Sequence, residues 1–207
     1  MRRTPFAMAA VLALGLGTMA AGVVAPPEIG RPAPAFTLPD TRGAQHSLAQ
    51  YRGRWVVLEW SNYGCPYVQK HYNSGNIPRQ QQKWRDRGVV WLSVMSSAPG
   101  EQGHFAPAAM NTESGRMRSN ASAVLLDPAG TVGRTYDART TPHMFVINPQ
   151  GTLVYMGGID DVATPRQEDL ARARQLVDAA LEQATAGRPV STPTSRPYGC
   201  NVKYRGA

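Results

Sequence analysis

The sequence predicts an α/β domain built on one mixed central sheet flanked by helices, and three stretches carry the prediction. The runs "WVVLEW" (Trp55–Trp60) and "VVWLSV" (Val89–Val94) are almost continuously apolar, β-branched or aromatic, the pattern of strands buried on both faces. A helical stretch lies between them, so the three form a βαβ unit, expected to be right-handed. Further on, "HMFVINPQGTLVYMGG" (His143–Gly158) reads as two strands joined by Asn148-Pro149-Gln150-Gly151, a hairpin signal. With 207 residues, 42% of them hydrophobic, the chain suits one domain with its own core.

The first 25 residues stand apart. Met1-Arg2-Arg3 is basic, Ala9–Leu16 is apolar, and small residues follow at Ala20-Ala21 and Val23-Val24-Ala25. That order is the pattern of a secretory signal peptide, residues 1–25, and its apolar run is short for a membrane span. An uncleaved anchor is the alternative. No later segment is apolar enough to span, so the expectation is a soluble periplasmic or secreted chain with no membrane span after signal cleavage. Residues 26–187 form the expected domain and residues 188–207 a C-terminal tail.

Within the domain, "PPEIGRPAP" (26–34) is an extended lead-in. Phe36–Leu48 reads as an N-terminal β-hairpin around Asp40-Thr41-Arg42-Gly43. Cys65 follows the first buried strand after a four-residue turn, and Pro66 suits the first helical position, where its missing N–H costs nothing. The helix runs to about Tyr72, "NSGNIP" interrupts it, and "RQQQKWRDRG" resumes it to Gly88. Residues 96–120 are polar, with one helix. "SAVLLDPAG" gives a strand and a turn, and a helical turn follows near Thr131–Tyr136. Thr164-Pro165-Arg166-Gln167 reads as a capping box opening the last helix. Leu170, Ala173, Val177, Ala180, Leu181 and Ala184 recur along it at spacings of three and four, and Gly187 ends it. The tail is rich in Pro, Ser and Thr and carries Cys200. There is no internal repeat.

The formal charge is +8; without Arg2 and Arg3 it is +6, because residues 1–25 hold no acids. The basic residues are scattered and mostly arginine, a solvated surface and not a nucleic-acid stripe. The chain has two cysteines, and export to an oxidising compartment permits the one intramolecular pairing they allow. Cys65 sits at a helix start, where free N–H groups and the dipole favour a thiolate nucleophile; a buried inert cysteine is the alternative. Glu59, inside "VVLEW", is costly to bury, and burial raises its pKa. It is either a proton relay or a carboxylate paired with arginine. Trp55, Trp60, Trp84 and Trp91 fall in or beside core elements.

These residues resemble the thioredoxin-like superfamily. More narrowly, they resemble its alkyl-hydroperoxide reductase/thiol-specific antioxidant branch of redoxins and peroxiredoxin-like proteins. The resemblance covers roughly residues 28–187. It rests on "APAFTLPDTRG", "WVVLEWSNYGCPYV", "TTPHMFVINPQGTLVYMGG" and the closing helix. It implies a thioredoxin-like fold with Cys65 as the reactive thiol. It also implies a cis-proline at Pro142 and a buried carboxylate at Glu59, six residues before the thiol. Thr141 would pair with a substrate chain, and Pro66 and Tyr67, with Tyr63, would line its path. The departures are specific. A Cys-x-x-Cys pair would need cysteine at Val68 or Asn62, and a peroxiredoxin usually has Pro and Thr where Leu58 and Asn62 stand.

The missing neighbour directs attention to Cys200. A distal resolving cysteine is common among peroxiredoxin-like proteins, which implies a Cys65–Cys200 disulfide, catalytic or structural. As a staple, a bridge closing so long a loop contributes about 4–5 kcal/mol in the chain-entropy model. The function expected is an exported thiol–disulfide oxidoreductase or peroxiredoxin-like antioxidant. It would act on a thiol/disulfide protein or a hydroperoxide and be restored by an external thiol reductant. The alternative is a non-catalytic domain of the same fold. No Gly-rich dinucleotide motif is present, so no cofactor is expected. Cys65, His143 and Met144 match thioredoxin-like copper-delivery sites poorly, having one thiol where those have a pair, so no metal is expected. His71, about 600° around the helix from Cys65, is expected at the surface or core edge.

Overall fold

The computed structural model describes residues 26–206; the predicted signal peptide lies outside them. A short antiparallel hairpin opens the chain, β1 (Thr37–Pro39) and β2 (Gln45–Ser47). Asp40 Oδ1 closes its turn by accepting the N–H groups of Arg42 and Ala44 at 2.8 and 2.9 Å. The first apolar run becomes β3 (Val56–Trp60). It leads into α1 (Pro66–Asn73) and α2 (Asn76–Asp86), separated at Gly75, and then into β4 (Val90–Met95). After α3 (Pro107–Arg116) come β5 (Ala123–Leu126), α4 (Thr131–Thr135) and β6 (Thr140–Thr141), then the hairpin of β7 (His143–Ile147) and β8 (Leu153–Gly157). The last helix is α5 (Leu176–Thr185), and β9 (Cys200–Asn201) lies in the tail.

The central sheet has the order β5-β4-β3-β7-β8. β3 is parallel to β4 and antiparallel to β7. As in any strand, successive side chains take opposite faces. Val56, Leu58 and Trp60 join Phe145, Ile147 and Leu125 under the N-terminal hairpin. Val57 joins Cys65, Val68, Tyr72, Trp84, Trp91 and Leu181 under α1, α2 and α5. The strands are therefore apolar on both faces because both faces are covered. The register of β3 on β7 sets Trp60 opposite His143, so the loop to Cys65 and the segment ending at Pro142 meet at one end of the sheet.

Two features depart from the sequence pattern. The last helix begins at Leu176, eleven residues after the expected proline. Thr164 caps no helix. Its hydroxyl bonds Asp169 at 2.5 Å, and Asp169 also receives Arg166 and Arg172 at 3.0 and 2.9 Å. Asp161 accepts the N–H of Arg174 at 2.9 Å. These local side-chain bonds compete with a helical turn, leaving a short 3-10 turn over Glu168–Arg172. Second, the tail is integrated into the fold. It bonds the outer edge of β8, with Met156 N donating to Pro193 O and Ser195 N to Met156 O. It then crosses the sheet end, pairs β9 with β6, and buries Val202 on the hairpin side.

Candidate active site

Cys65 is the N-cap residue of α1, with extended backbone (φ −81°, ψ 126°) and Pro66 following at the helix start. The loop that delivers it is tied at both ends of Asn62. The Asn62 carbonyl accepts Cys65 N at 2.9 Å, and Asn62 Oδ1 accepts Gly64 N at 2.8 Å. Asn62 Nδ2 donates to Gln102 O, and Gln102 Nε2 returns to Gly64 O. Gly103 makes this clamp sterically feasible: a Cβ there would lie 2.1 Å from Asn62 Oδ1, and its φ is +85°. Gln102 and Gly103 have no signal in the sequence, because the clamp joins segments 40 residues apart. Asn62, at the position of a peroxiredoxin threonine, is thus engaged in shaping the loop. Val68, at the position of a second Cys-x-x-Cys cysteine, is fully buried in the core beside Cys65.

The Thr141–Pro142 peptide bond is cis. Cys65 Sγ lies 3.3 Å from the Thr141 carbonyl oxygen and 2.6 Å from Cys200 Sγ. Both cysteines are free thiols, Cys65 fully buried and Cys200 half-buried. Cys200 reaches this point because β9 pairs antiparallel with β6, setting Thr141 opposite Cys200 and Thr140 opposite Asn201. The edge expected to receive a substrate chain therefore carries the protein's own tail. Gly199 permits that approach: its φ is +137°, and a Cβ would stand 2.0 Å from Thr141 O. Burial and the neighbouring Cys65 sulfur push the Cys200 thiol up to about 12, so the docked Cys200 keeps its proton at neutral pH. Pro66 is exposed and Tyr67 half-buried, with the Tyr67 ring edge-on to Tyr198 at 5.9 Å. Tyr63 is buried against Tyr72 and does not form a rim.

Glu59 shares the sheet face of Val57, beneath the helices. Among the described residues it has no arginine partner. Its oxygens accept Tyr72 Oη at 2.8 Å, Gln81 Nε2 at 3.2 Å, Trp91 Nε1 at 2.8 Å and Ser93 Oγ at 3.3 Å. Burial raises its pKa, and these donors offset part of that rise. None of the four is Cys65. His71 is not at the surface; it is fully covered. The His143 ring packs at a tilt on Phe145, with ring centroids 4.5 Å apart. No group of three or more His, Cys, Asp or Glu among the described residues is placed to hold a metal ion.

The AhpC/TSA family model matches residues 29–156. Among solved structures, an uncharacterized conserved protein from Geobacillus kaustophilus is similar, with a TM-score of 0.74 at 22% identity, covering 87% of this chain and 94% of that one. A hypothetical protein from Sinorhizobium meliloti 1021 gives 0.70 at 22% identity over 87% and 96%. A protein described as a thiol:disulfide interchange protein DsbE, from Chlorobium tepidum, gives 0.55 at 20% identity over 78% and 97%. At these identities the likeness is one of fold, and the fold is thioredoxin-like. No curated protein matches the chain.

His143, beside the cis bond, yields a prediction about pH. Burial pulls its pKa down to about 4, against about 6.5 in an unfolded chain. Between those values the unfolded chain binds the extra proton, so stability falls on acidification, by up to roughly 3 kcal/mol. The unfolding midpoint of His143→Gln should therefore fall less steeply than that of the unaltered protein between about pH 6.5 and 4. Parallel curves would show that His143 is not held neutral.

Proposed function

The chain belongs to the AhpC/TSA family, and from that premise we propose that it is a thiol–disulfide oxidoreductase with Cys65 as nucleophile and Cys200 as resolving cysteine. The observation that carries the proposal is the 2.6 Å approach of the two sulfurs across the β6–β9 pair. The Cys65 thiolate attacks one sulfur of a substrate disulfide. A Cys65–substrate disulfide forms and the other substrate thiolate leaves. The Cys200 sulfur, giving up its proton to the departing side, then attacks Cys65 Sγ. The Cys65–Cys200 disulfide forms and the second substrate thiol is released. An external dithiol protein reduces the pair and is itself oxidised. Exchange is favoured over peroxide reduction by the two peroxiredoxin positions: Leu58 packs in the core on the opposite face of the sheet, and Asn62 is engaged in the loop clamp. A hydroperoxide is the other substrate class within this reading. It would leave a sulfenic acid on Cys65 and release the alcohol, and Cys200 would condense with that acid to give the disulfide and water.

Glu59 is the proton relay of this proposal. Burial raises its pKa above the usual carboxylate range, the direction a proton-relaying carboxyl needs. Its partner Tyr72 packs edge-on to Tyr63, two residues before Cys65, at 5.3 Å. Residues 1–25, by their signal-peptide pattern, direct the protein outside the cytoplasm in the same reading. The integration of the tail supports a second reading, in which the pair is a structural staple of a non-catalytic domain.

Turnover of a disulfide peptide with a dithiol reductant separates these readings. Cys65→Ser should abolish turnover, and Cys200→Ser should accumulate a mixed disulfide on Cys65, visible by non-reducing peptide mapping. Full turnover by Cys65→Ser would remove Cys65 as the nucleophile, and absence of turnover by the unaltered protein would leave only the staple. Glu59→Gln should shift the pH profile of turnover; an unmoved profile would make Glu59 a core residue alone.

A further inference from the structure

Two residues before Cys200, Tyr198 is buried with its phenol inside a set of charged and polar groups that the exchange steps do not use. Lys70 Nζ lies 3.4 Å from Asp160 Oδ2, and both side chains are fully covered. Lys70 Nζ also donates to Val162 O at 2.9 Å and to Tyr198 Oη at 3.4 Å. The Tyr198 hydroxyl donates to Asp160 Oδ1. His71 completes the set. Its Nδ1 accepts Asn76 Nδ2 at 2.9 Å, which assigns the ring proton to Nε2, 3.1 Å from Tyr198 Oη. Burial holds this histidine neutral, its pKa pulled down to about 3. One phenol thus meets a cation, an anion and an imidazole, all deeply buried.

The connectivity gives the cluster its meaning. Lys70 and His71 lie on α1, the helix that Cys65 caps. Tyr198 lies just before β9, which carries Cys200. The β6–β9 ladder holds the 198–201 segment to the Thr140–Thr141 edge, and Tyr198 fixes it to the helix that bears the nucleophile. Beside that segment lies a cavity of about 630 Å³, lined in part by Thr140, Asp160, Arg174, Tyr198, Gly199 and Asn201, which leaves the segment room to move on one side. A phenol is neutral, so its withdrawal leaves the Lys70–Asp160 pair intact and costs less than removing a charged member of the pair.

We propose that Tyr198 is a positioning residue that latches the tail. By docking on Lys70, His71 and Asp160 it holds Cys200 against Cys65, and a partner chain gains the Thr140–Thr141 edge only when the latch opens. The second clause rests on the exchange reading; the docking does not.

Two variants test the latch in the reduced protein. Tyr198→Phe removes only the hydroxyl. Gly199→Ala disturbs the same segment through Thr141 O and leaves the charged cluster untouched. In Tyr198→Phe, amide hydrogen exchange in residues 198–204 and iodoacetamide labelling of the buried Cys65 should quicken about tenfold, the loss of roughly one net hydrogen bond; in Gly199→Ala the same sites should quicken through the clash with Thr141 O. Exchange in β3 and β4 should stay unchanged. Unaltered rates in Tyr198→Phe would overturn the latch whatever Gly199→Ala does, and so would a uniform rise across the core, which would mark Tyr198 as a general packing residue. If the rise is local but the unaltered protein never exchanges disulfides, the latch stands as tail docking and the exchange reading fails.

Discussion

The antiparallel register that sets Trp60 opposite His143 decides where chemistry can occur in this protein. β3 must be central because its residues are apolar on both sides, and β7 must lie beside it for the same reason. Once they pair, the chain leaving β3 and the chain entering β7 emerge at one end of the sheet. The first delivers Cys65 to the start of α1. The second delivers the Thr141 carbonyl to within 3.3 Å of that sulfur. Everything else at the site is attached to this junction: the Asn62–Gln102 clamp shapes the outgoing loop, and β6 offers the edge on which β9 is seated.

The tail gives the junction its second sulfur. With Cys200 absent from the neighbourhood of Cys65 in sequence, the pair exists only because 188–206 runs back along β8 and across the sheet end. The arrangement is asymmetric. Cys65 is fully buried at a helix start, whereas Cys200 is half-buried and keeps its proton. In the proposed function the segment that supplies the resolving thiol also covers the nucleophile, so access and resolution would be coupled through one strand. Tyr198, docked on the buried Lys70–Asp160 pair, ties that segment to α1, the helix that Cys65 caps.

Much of this was legible in the sequence because it is local. Two-sided apolar runs specify central strands, Pro66 marks a helix start, and Asn148–Gly151 marks a hairpin. The cis bond at Thr141-Pro142 was implied by the family resemblance, which rests on its placement before that hairpin. What was not legible depends on contacts between remote segments. Tyr198 meets Lys70 across 128 residues; the approach of Cys200 to Cys65 across 135 was expected only through the family resemblance. No periodicity encodes such pairs. His71 looked peripheral because its angle from Cys65 excluded it from the thiol and said nothing of the tail that covers it. Thr164–Gln167 carried the letters of a capping box, but Asp161 and Asp169 drew the nearby donors to themselves and delayed the helix to Leu176.

The central claim is that the approach of Cys65 and Cys200 on the β6–β9 pair is a working redox couple. The equilibrium reduction potential of that pair, measured in the full chain against glutathione with the Cys65–Cys200 disulfide confirmed by peptide mapping, tests it most directly. A value near about −200 mV is the result expected of a disulfide that opens and closes during exchange. A value below about −300 mV would contradict the claim and leave the bond a permanent fastening for the tail.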